Sequence, residues 1–597
     1  MATHAQTPDI TSTASAVSPK EMIARMAPGR EERVFLLLSI FIGVISGLLE
    51  ASFRMATEWL GVLLFGSPPK RHQPRLIIVP AAAGIVIAIL TRYVFPKVRG
   101  SGINQTKAAL YINNGYISFR TVIGKFLLSA LAIGSGFSLG PEDPSLQIGA
   151  GVASLISRRV GMSKEKLRIF APIGAAAGLA AAFNAPISAI LFVIEEVIGQ
   201  WSAAVLGSIV LAAVSSVVVA RAFWGAEPMF RIPAVTLRDP RELLAYAVLG
   251  IVGGFSSLLF SKALSFSRTK LRSQPQWSQM MQPALAGLLV GGIGYLGFTQ
   301  VMGAGYQAID QAMHAQFVWQ MLLLLALLKI VATTLSFSSG TPGGMFAPTL
   351  FIGAMLGAAV GSFEKIYFPH LTGSIGSYAL VGMGVLFAAF LRAPLTSVFM
   401  VLEVSGNYTI VLPVILANTI AYLLSRAVQP IPILEQFTHQ DGLDLPSMEE
   451  LREESNLHLE DAMRPVTVPV LQGTETLDDT ARSLAQLPDV SNTPVFLIHC
   501  SDGLWYAARR DEIEALLVKP ADAAAMPVED RRQPDSNILE VRLGAERTPV
   551  LFPDLPLASA LAHFQRWPLL PVTNRAIRGS LEGAVSLQDV LNRFQKK

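Results

Sequence analysis

Gly140-Pro141-Glu142-Asp143-Pro144-Ser145-Leu146-Gln147-Ile148-Gly149-Ala150 and Gly344-Met345-Phe346-Ala347-Pro348-Thr349-Leu350-Phe351-Ile352-Gly353-Ala354 share the pattern Pro-[Ser/Thr]-Leu-x-Ile-Gly-Ala. Downstream, Ala181-Ala182-Phe183-Asn184-Ala185-Pro186 matches Ala388-Ala389-Phe390-Leu391-Arg392-Ala393-Pro394 with one residue inserted. Eight residues after each of these prolines an Ile or Leu precedes a glutamate, at Ile194-Glu195 and Leu402-Glu403. Pro144 and Pro186 are 42 residues apart, Pro348 and Pro394 46. Two ordered matches at nearly equal spacing mark an internal duplication, and each copy carries a Gly/Pro-broken helix start within apolar sequence. Discontinuous helices in corresponding places of two halves point to a transporter whose binding site lies near the membrane midplane. The sequence leaves open whether the copies are inverted.

The surroundings of the duplication are those of a membrane protein. The 597 residues carry 47 basic and 43 acidic side chains, 15% charged, against about 25% for a soluble average. Residues 1–435 hold 31 basic and 18 acidic groups, net +13, whereas 436–597 hold 16 and 25, net −9. A single soluble enzyme domain does not leave 435 residues so poor in charge, and a nucleic-acid binder clusters Lys and Arg on a polar background. One cysteine, Cys500, excludes an intramolecular disulfide framework and any multi-Cys metal site. The segment 1–28 lacks an apolar core and reads as a disordered or interfacial lead-in on the cytoplasmic side.

Apolar runs at 34–53, 76–95, 121–139, 203–223, 243–264, 283–298, 318–337 and 408–428 each approach the roughly 20 residues that span a bilayer. Shorter pieces lie between them at 144–156, 170–182, 187–198, 346–360, 378–390 and 394–404, several too short to cross alone. The first 435 residues contain 42 of the 48 glycines, which also suits close helix packing without any binding role.

In both copies a Gly-rich turn runs into a proline suited to a first helical turn. The free backbone N–H groups there point off a helix start of positive potential and can bind an anion without a full cation. Gly100-Ser101-Gly102-Ile103-Asn104, before a helical stretch at 105–111, is a third such start, with a serine that either caps the helix or donates to an anion. Glu142 is a carboxylate at one of these starts in apolar surroundings. Its carboxylate can take the anion's place and leave on protonation, which makes it a candidate gate and proton carrier; the plain alternative is a helix-start acid at the membrane surface.

GSGIN (100–104), GPEDP (140–144), AAFNAPISAILFVIEE (181–196) and GGMFAP (343–348) together resemble the ordered signature of the CLC chloride channel and transporter family, over about 400 residues. The resemblance implies an all-α polytopic membrane domain, an inverted repeat of tilted and partial helices, assembled as a homodimer with one pore per subunit. It implies that Ser101 and Gly102 with the N–H groups of Met345 and Phe346 line the central chloride site, and that Glu142 is the gating glutamate. Glu196 falls on the internal glutamate that relays protons in exchangers, so chloride/proton antiport is expected. A passive voltage- or pH-gated chloride channel and, further off, a non-transporting membrane sensor are the alternatives, and Glu195 and Glu196 as plain helix-end acids fit both. Three residues depart from the family's usual pattern. Pro141 stands for Arg or Lys and removes a backbone donor from the outer anion site, Asp143 stands for Gly and adds a carboxylate, and Leu434 stands for the pore tyrosine. Asn104 for Pro is milder.

Residues 436–458 read as an acidic linker. Beyond it, 459–520 and 545–597 each follow a β-α-β-β-α order, joined by 521–544, and resemble a CBS pair, a small α/β module. Ser586 and Asp589 keep the spacing of ribose and phosphate contacts, so ATP or a related nucleotide is a candidate ligand, with dimerisation alone as the alternative; Arg509 stands where the first unit would need a hydroxyl. No cofactor is required by this reading. The expected setting is the inner cell membrane, in contact with lipid, with both termini cytoplasmic and chloride and protons as substrates.

Overall fold

The computed structural model describes residues 28–66, 72–160, 162, 164–199, 203–230, 239–370, 373–443, 445–448, 451, 457–486, 494–517, 538–544, 546–575, 577 and 579–595. The lead-in expected at 1–28, apart from Pro28, and most of the 521–544 linker lie outside them. The chain forms two compact units, Met1–Met448 and Glu449–Lys597.

Within the first unit, eight helices among the described residues are long and apolar enough to cross a membrane. Two of the shorter apolar pieces belong to longer helices. Lys164–Phe183 gains a turn around Lys166 and Arg168, and Phe346–Tyr367 continues through Ser362, Glu364 and Lys365. Hydropathy alone stops at such charges, but the backbone hydrogen-bond ladder does not. The piece at 187–198 divides into the short helix Pro186–Phe192 and a π-helical turn, Val193–Ile198.

The duplication is visible in the packing. Glu142–Val160 lies against Lys164–Phe183 through Gly149, Gly174 and Gly178, and Phe346–Tyr367 lies against Ile375–Leu391 through Gly353, Gly357 and Gly382. At each of these glycines a Cβ would collide with facing backbone or a neighbouring side chain, so the absent side chain sets the helix separation. The copies run antiparallel. Glu195, near the end of the first short helix, accepts from the N–H groups of Leu395 (3.3 Å) and Thr396 (2.9 Å) and the Thr396 hydroxyl (2.6 Å) at the start of Pro394–Ser405. Glu403 answers at the start of Pro186–Phe192, accepting from Ile187 N–H (3.0 Å), Ser188 N–H (2.8 Å) and Ser188 Oγ (2.5 Å). Each helix end caps the other's beginning, which only an inverted pair can do.

The amphipathic helix Ile433–Gln440 closes the unit. Arg268 donates to Gln440 Oε1 and to Asp441 Oδ1, each at 2.8 Å. Packing therefore continues to Met448, past residue 435, where the charge density changes.

In the second unit, strand Val470–Gln472 pairs parallel with Val495–His499 across the helix Leu477–Gln486, and Val495–His499 pairs antiparallel with Trp505–Arg509 before helix Arg510–Leu517. The later half pairs Leu569–Thr573 with Leu581–Ser586 and ends in helix Leu587–Gln595. The strand that should open its β-α-β-β-α order is reduced to a single bridge, Leu551 to Val572. Pro549 and Pro553, on either side, have no N–H to give a ladder. Its first helix is a 3-10 segment, Leu557–His563. Two hydrophobic clusters, one around Leu497, Trp505, Leu570 and Val585 and one around Phe496, Ile498 and Ile513, form its core. Burial pushes the thiol of Cys500 up to about 11.

Candidate functional site

Three helix starts converge. Gly140 and Gly344 form an isolated antiparallel bridge, Gly140 N–H to Gly344 O at 2.9 Å and Gly344 N–H to Gly140 O at 2.8 Å. Gly343 N–H donates to Gly100 O at 3.4 Å. The starts of Ile103–Tyr111, Glu142–Val160 and Phe346–Tyr367 are thereby tied through the glycine turns before them. Gly102 has φ +111° and a Cβ there would meet Gln147, so glycine is required on both counts. Met345 and Phe346 are fully buried, and Phe346 packs against Phe183, Phe192 and Phe387. Ser101 is buried, and its Oγ accepts from Ile103 N–H at 3.4 Å, which leaves the hydroxyl hydrogen for another acceptor.

Glu142 and Asp143 are both fully buried here. Glu142 Oε1 accepts from the Tyr306 hydroxyl, while Oε2 has no hydrogen-bond partner among the described residues. A Cβ on Gly140 would overlap both Glu142 Oε2 and Ala347, so the carboxylate lies over the start of Phe346–Tyr367. Asp143 Oδ2 accepts the Met345 N–H at 3.0 Å, and Asp143 Oδ1 has no partner among the described residues. One of the two donors expected for chloride is thus held by a side chain of the protein itself. Leu434 is buried, and its carbonyl accepts from Asn104 Nδ2 at 3.1 Å. The residue in the tyrosine's place therefore meets the first turn of Ile103–Tyr111 through its backbone carbonyl and has no side-chain hydroxyl to offer.

That nine-residue helix runs from the three converging starts to Glu196. Lys107, about 6 Å along the axis from Ile103, places Nζ 3.4 Å from Glu196 Oε2, with both side chains buried. One turn later the Tyr111 hydroxyl donates to Ile198 O at 2.5 Å. The neighbouring glutamates have separate tasks: Glu195 caps the opposite repeat, and Glu196 faces Lys107. The π turn that carries them, a geometry frequent at functional sites, ends at Gly199 in the left-handed region.

Four residues escaped sequence reasoning. Tyr306 begins Tyr306–Met313 behind Gly303-Ala304-Gly305, a repeat of Gly100-Ser101-Gly102 that was there to be read. Lys125 and Lys329 each stand fifteen residues before the paired glycines Gly140 and Gly344. Lys125 donates to the carbonyls of Val98 (3.2 Å) and Gly100 (2.5 Å), and Lys329 to those of Val301 (3.1 Å), Gly303 (2.8 Å) and Ala304 (3.4 Å). Each lysine fixes the loop before one Gly-x-Gly start. Gln147, against Gly102, is buried with both amide atoms unpartnered among the described residues; no motif singled it out. A cavity of about 390 Å³ is lined by Arg54, Phe183, Asn184, Arg221, Trp224 and Asp310. Phe183 stacks on Phe346, and Asp310 is one turn from Tyr306.

In the second unit Ser586 and Asp589 serve each other. Ser586 N–H (3.1 Å) and Oγ (2.5 Å) donate to Asp589 Oδ2, and Arg464 Nε is 2.5 Å from Asp589 Oδ1. Arg509 N–H and Glu512 repeat the same cap at 2.9 Å in the first half.

Residues 83–426 match the family model described as voltage gated chloride channel. The H(+)/Cl(−) exchange transporter ClcA of Salmonella paratyphi B is 33% identical over 408 residues, 66% of this chain and 85% of that protein. The fold is similar to that of a slow cyanobacterial Cl−/H+ antiporter, with TM-score 0.62 and 24% identity over 68% of this chain and 97% of that one. A eukaryotic CLC transporter gives TM-score 0.58 and 20% identity over 93% of this chain and 97% of the other.

Proposed function

This chain belongs to the voltage-gated chloride channel (CLC) family of multi-pass membrane proteins, which are ion transporters or channels and not enzymes, and we propose from that premise that it exchanges chloride for protons. The observation that carries the reading is Glu142, a buried carboxylate folded over the start of Phe346–Tyr367. A tethered anion stands where a free one would bind, and the two compete for the same positive helix end. Protonation removes the charge that holds Glu142 there and lets chloride in; loss of the proton restores the block. Glu196, buried against Lys107 midway along Ile103–Tyr111, exchanges that proton with the other side. Ser101, Gly102 and Phe346 then hold the passing chloride. The name of the ClcA relative supports the same exchange.

The ion pair of Glu196 with Lys107 favours one other reading, since a carboxylate held by an ammonium carries protons only when the pair opens. That reading is passive chloride conduction. Chloride efflux and proton uptake by the full-length protein in liposomes separate the two. Under antiport, Glu142→Gln passes chloride without protons, and Glu196→Gln stops protons while sparing chloride. Proton uptake that survives Glu196→Gln overturns the assigned relay, and chloride efflux with no proton movement in the unaltered protein overturns antiport.

The assembly belongs to the same proposal: a homodimer in the inner membrane, with the α/β tail as a cytoplasmic CBS pair. ATP at Ser586 and Asp589 would have to displace Arg464 from the Asp589 carboxylate. Titration of the full-length protein with ATP, read by thermal unfolding, tests this: a rise in the tail's transition supports a nucleotide site, and none leaves the pair as a helix cap.

A further inference from the structure

The Met345 N–H has one hydrogen, and Asp143 Oδ2 accepts it at 3.0 Å. We propose that Asp143 is a second tethered anion, a gate in series with Glu142, which fills the Met345 donor at rest and must leave before chloride takes that place. This rests on the anion-transport reading above and adds a specificity-determining residue to it.

The geometry separates the two carboxylates by the donors they face. Glu142 is hydrogen-bonded to Tyr306 and lies by Gly140 and Ala347, whereas Asp143 takes the amide one residue before the helix Phe346–Tyr367 begins. Neither can be a solvated surface acid, for both are fully buried. Each also keeps one oxygen without a hydrogen-bond partner among the described residues, so neither carboxylate is fully satisfied as a structural cap would be. A buried acceptor left unmade is costly, and a residue kept only for a cap would be expected to fill both oxygens.

Among the described residues no charged side chain lies within hydrogen-bond distance of Asp143. Lys125, from Phe119–Gly134, gives its hydrogen bonds to the Val98 and Gly100 carbonyls. Lys329, from Trp319–Ser338, gives its own to Val301, Gly303 and Ala304. Glu142 lies on the same helix, with Tyr306 of Tyr306–Met313 hydrogen-bonded to it and the buried Glu50 of Pro28–Phe65 on its side rather than on that of Asp143. Lys125 and Lys329 keep their charge while donating to carbonyls, so what stands against another anion is the filled Met345 donor and the adjacent Glu142 and Asp143 carboxylates. Chloride enters when Asp143 takes up a proton on its carboxylate, or swings aside, and frees the Met345 N–H. The anion then gains that hydrogen alongside Phe346 N–H.

Chloride binding to the detergent-solubilised full-length protein, measured by isothermal titration calorimetry, tests this together with chloride efflux from liposomes. Asp143→Ala should tighten chloride binding about tenfold or more, the size of one charge-assisted hydrogen bond regained, and speed efflux. Asp143→Asn, which keeps the shape and drops the charge, should fall between Asp143→Ala and the unaltered protein, so the test stands even where one variant folds poorly. Unchanged or weaker binding in both variants, in a protein that binds chloride unaltered, overturns the second gate and leaves the transport reading intact. Chloride binding and flux absent from the unaltered protein and from Glu142→Gln and Asp143→Ala alike overturn both.

Discussion

Tyr306→Phe should unlock the Glu142 gate. The substitution removes one oxygen and keeps the ring, including its contact with Phe230 at 6.5 Å between centroids. Glu142 Oε2 already lacks a hydrogen-bond partner among the described residues, so Tyr306→Phe takes away the side-chain donor to the other oxygen of a fully buried carboxylate. A hydrogen bond to a charged group contributes about 1.5–3 kcal/mol. Its loss therefore shifts the balance between blocked and open gate by about 10- to 150-fold. Chloride efflux from liposomes, followed with a chloride electrode, reads that balance wherever gate opening limits the flux. The same substitution made in Glu142→Ala is the control: with no side-chain acceptor left at 142, Tyr306→Phe should change little there, and the double-mutant cycle isolates the coupling. Efflux unchanged by Tyr306→Phe, or changed equally in both backgrounds, refutes the idea that Tyr306 acts through Glu142.

Glu195→Gln and Glu403→Gln should destabilise the membrane unit by similar amounts, about 1–3 kcal/mol each, because each carboxylate caps the other repeat's helix with two N–H groups and a hydroxyl; thermal unfolding in detergent compares them, and a strongly one-sided loss contradicts the reciprocal cap. Lys107→Met should cost about 3–5 kcal/mol, the usual result of deleting one partner of a buried ion pair, and Lys107→Met with Glu196→Gln should recover part of it; the same unfolding measurement checks both, and a neutral Lys107→Met rules the pair out as a structural element. Cys500 should react slowly with maleimide at pH 7, since a thiol pushed up to about 11 by burial offers little thiolate. Labelling should accelerate on unfolding in urea, and rapid labelling of the folded protein contradicts the burial.

The duplicated Pro-[Ser/Thr]-Leu-x-Ile-Gly-Ala segment and the low charge of the first 435 residues were enough to find the membrane unit and two of the three helix starts. The sense of the repeat was not legible, because like sequences pack parallel or antiparallel with the same composition; it became visible only in the exchanged caps of Glu195 and Glu403. Neighbouring acids are equally opaque in sequence. A π turn sends Glu195 to the opposite repeat and Glu196 to Lys107, and a spacing argument for an ordinary helix does not anticipate it. Tyr306, Lys125 and Lys329 were legible in principle, through the second Gly-x-Gly and the equal spacing of the lysines, but both signals are short. Asp143 was noticed as an extra charge, while its hydrogen bond to Met345 depends on the meeting of two segments 202 residues apart. In the tail, Pro549 and Pro553 turned an expected strand into one bridge, a local effect of the missing N–H.

The central claim is that chloride and protons move in obligatory exchange through Glu142 and Glu196. Liposomes holding the purified full-length protein, loaded with high chloride, placed in low chloride at equal pH inside and out and followed with a pH electrode, test it most directly. The account predicts that chloride leaving down its gradient drives protons inward, uphill against the pH difference that then develops, and that Glu196→Gln abolishes this movement. Chloride efflux with no uphill proton movement contradicts it.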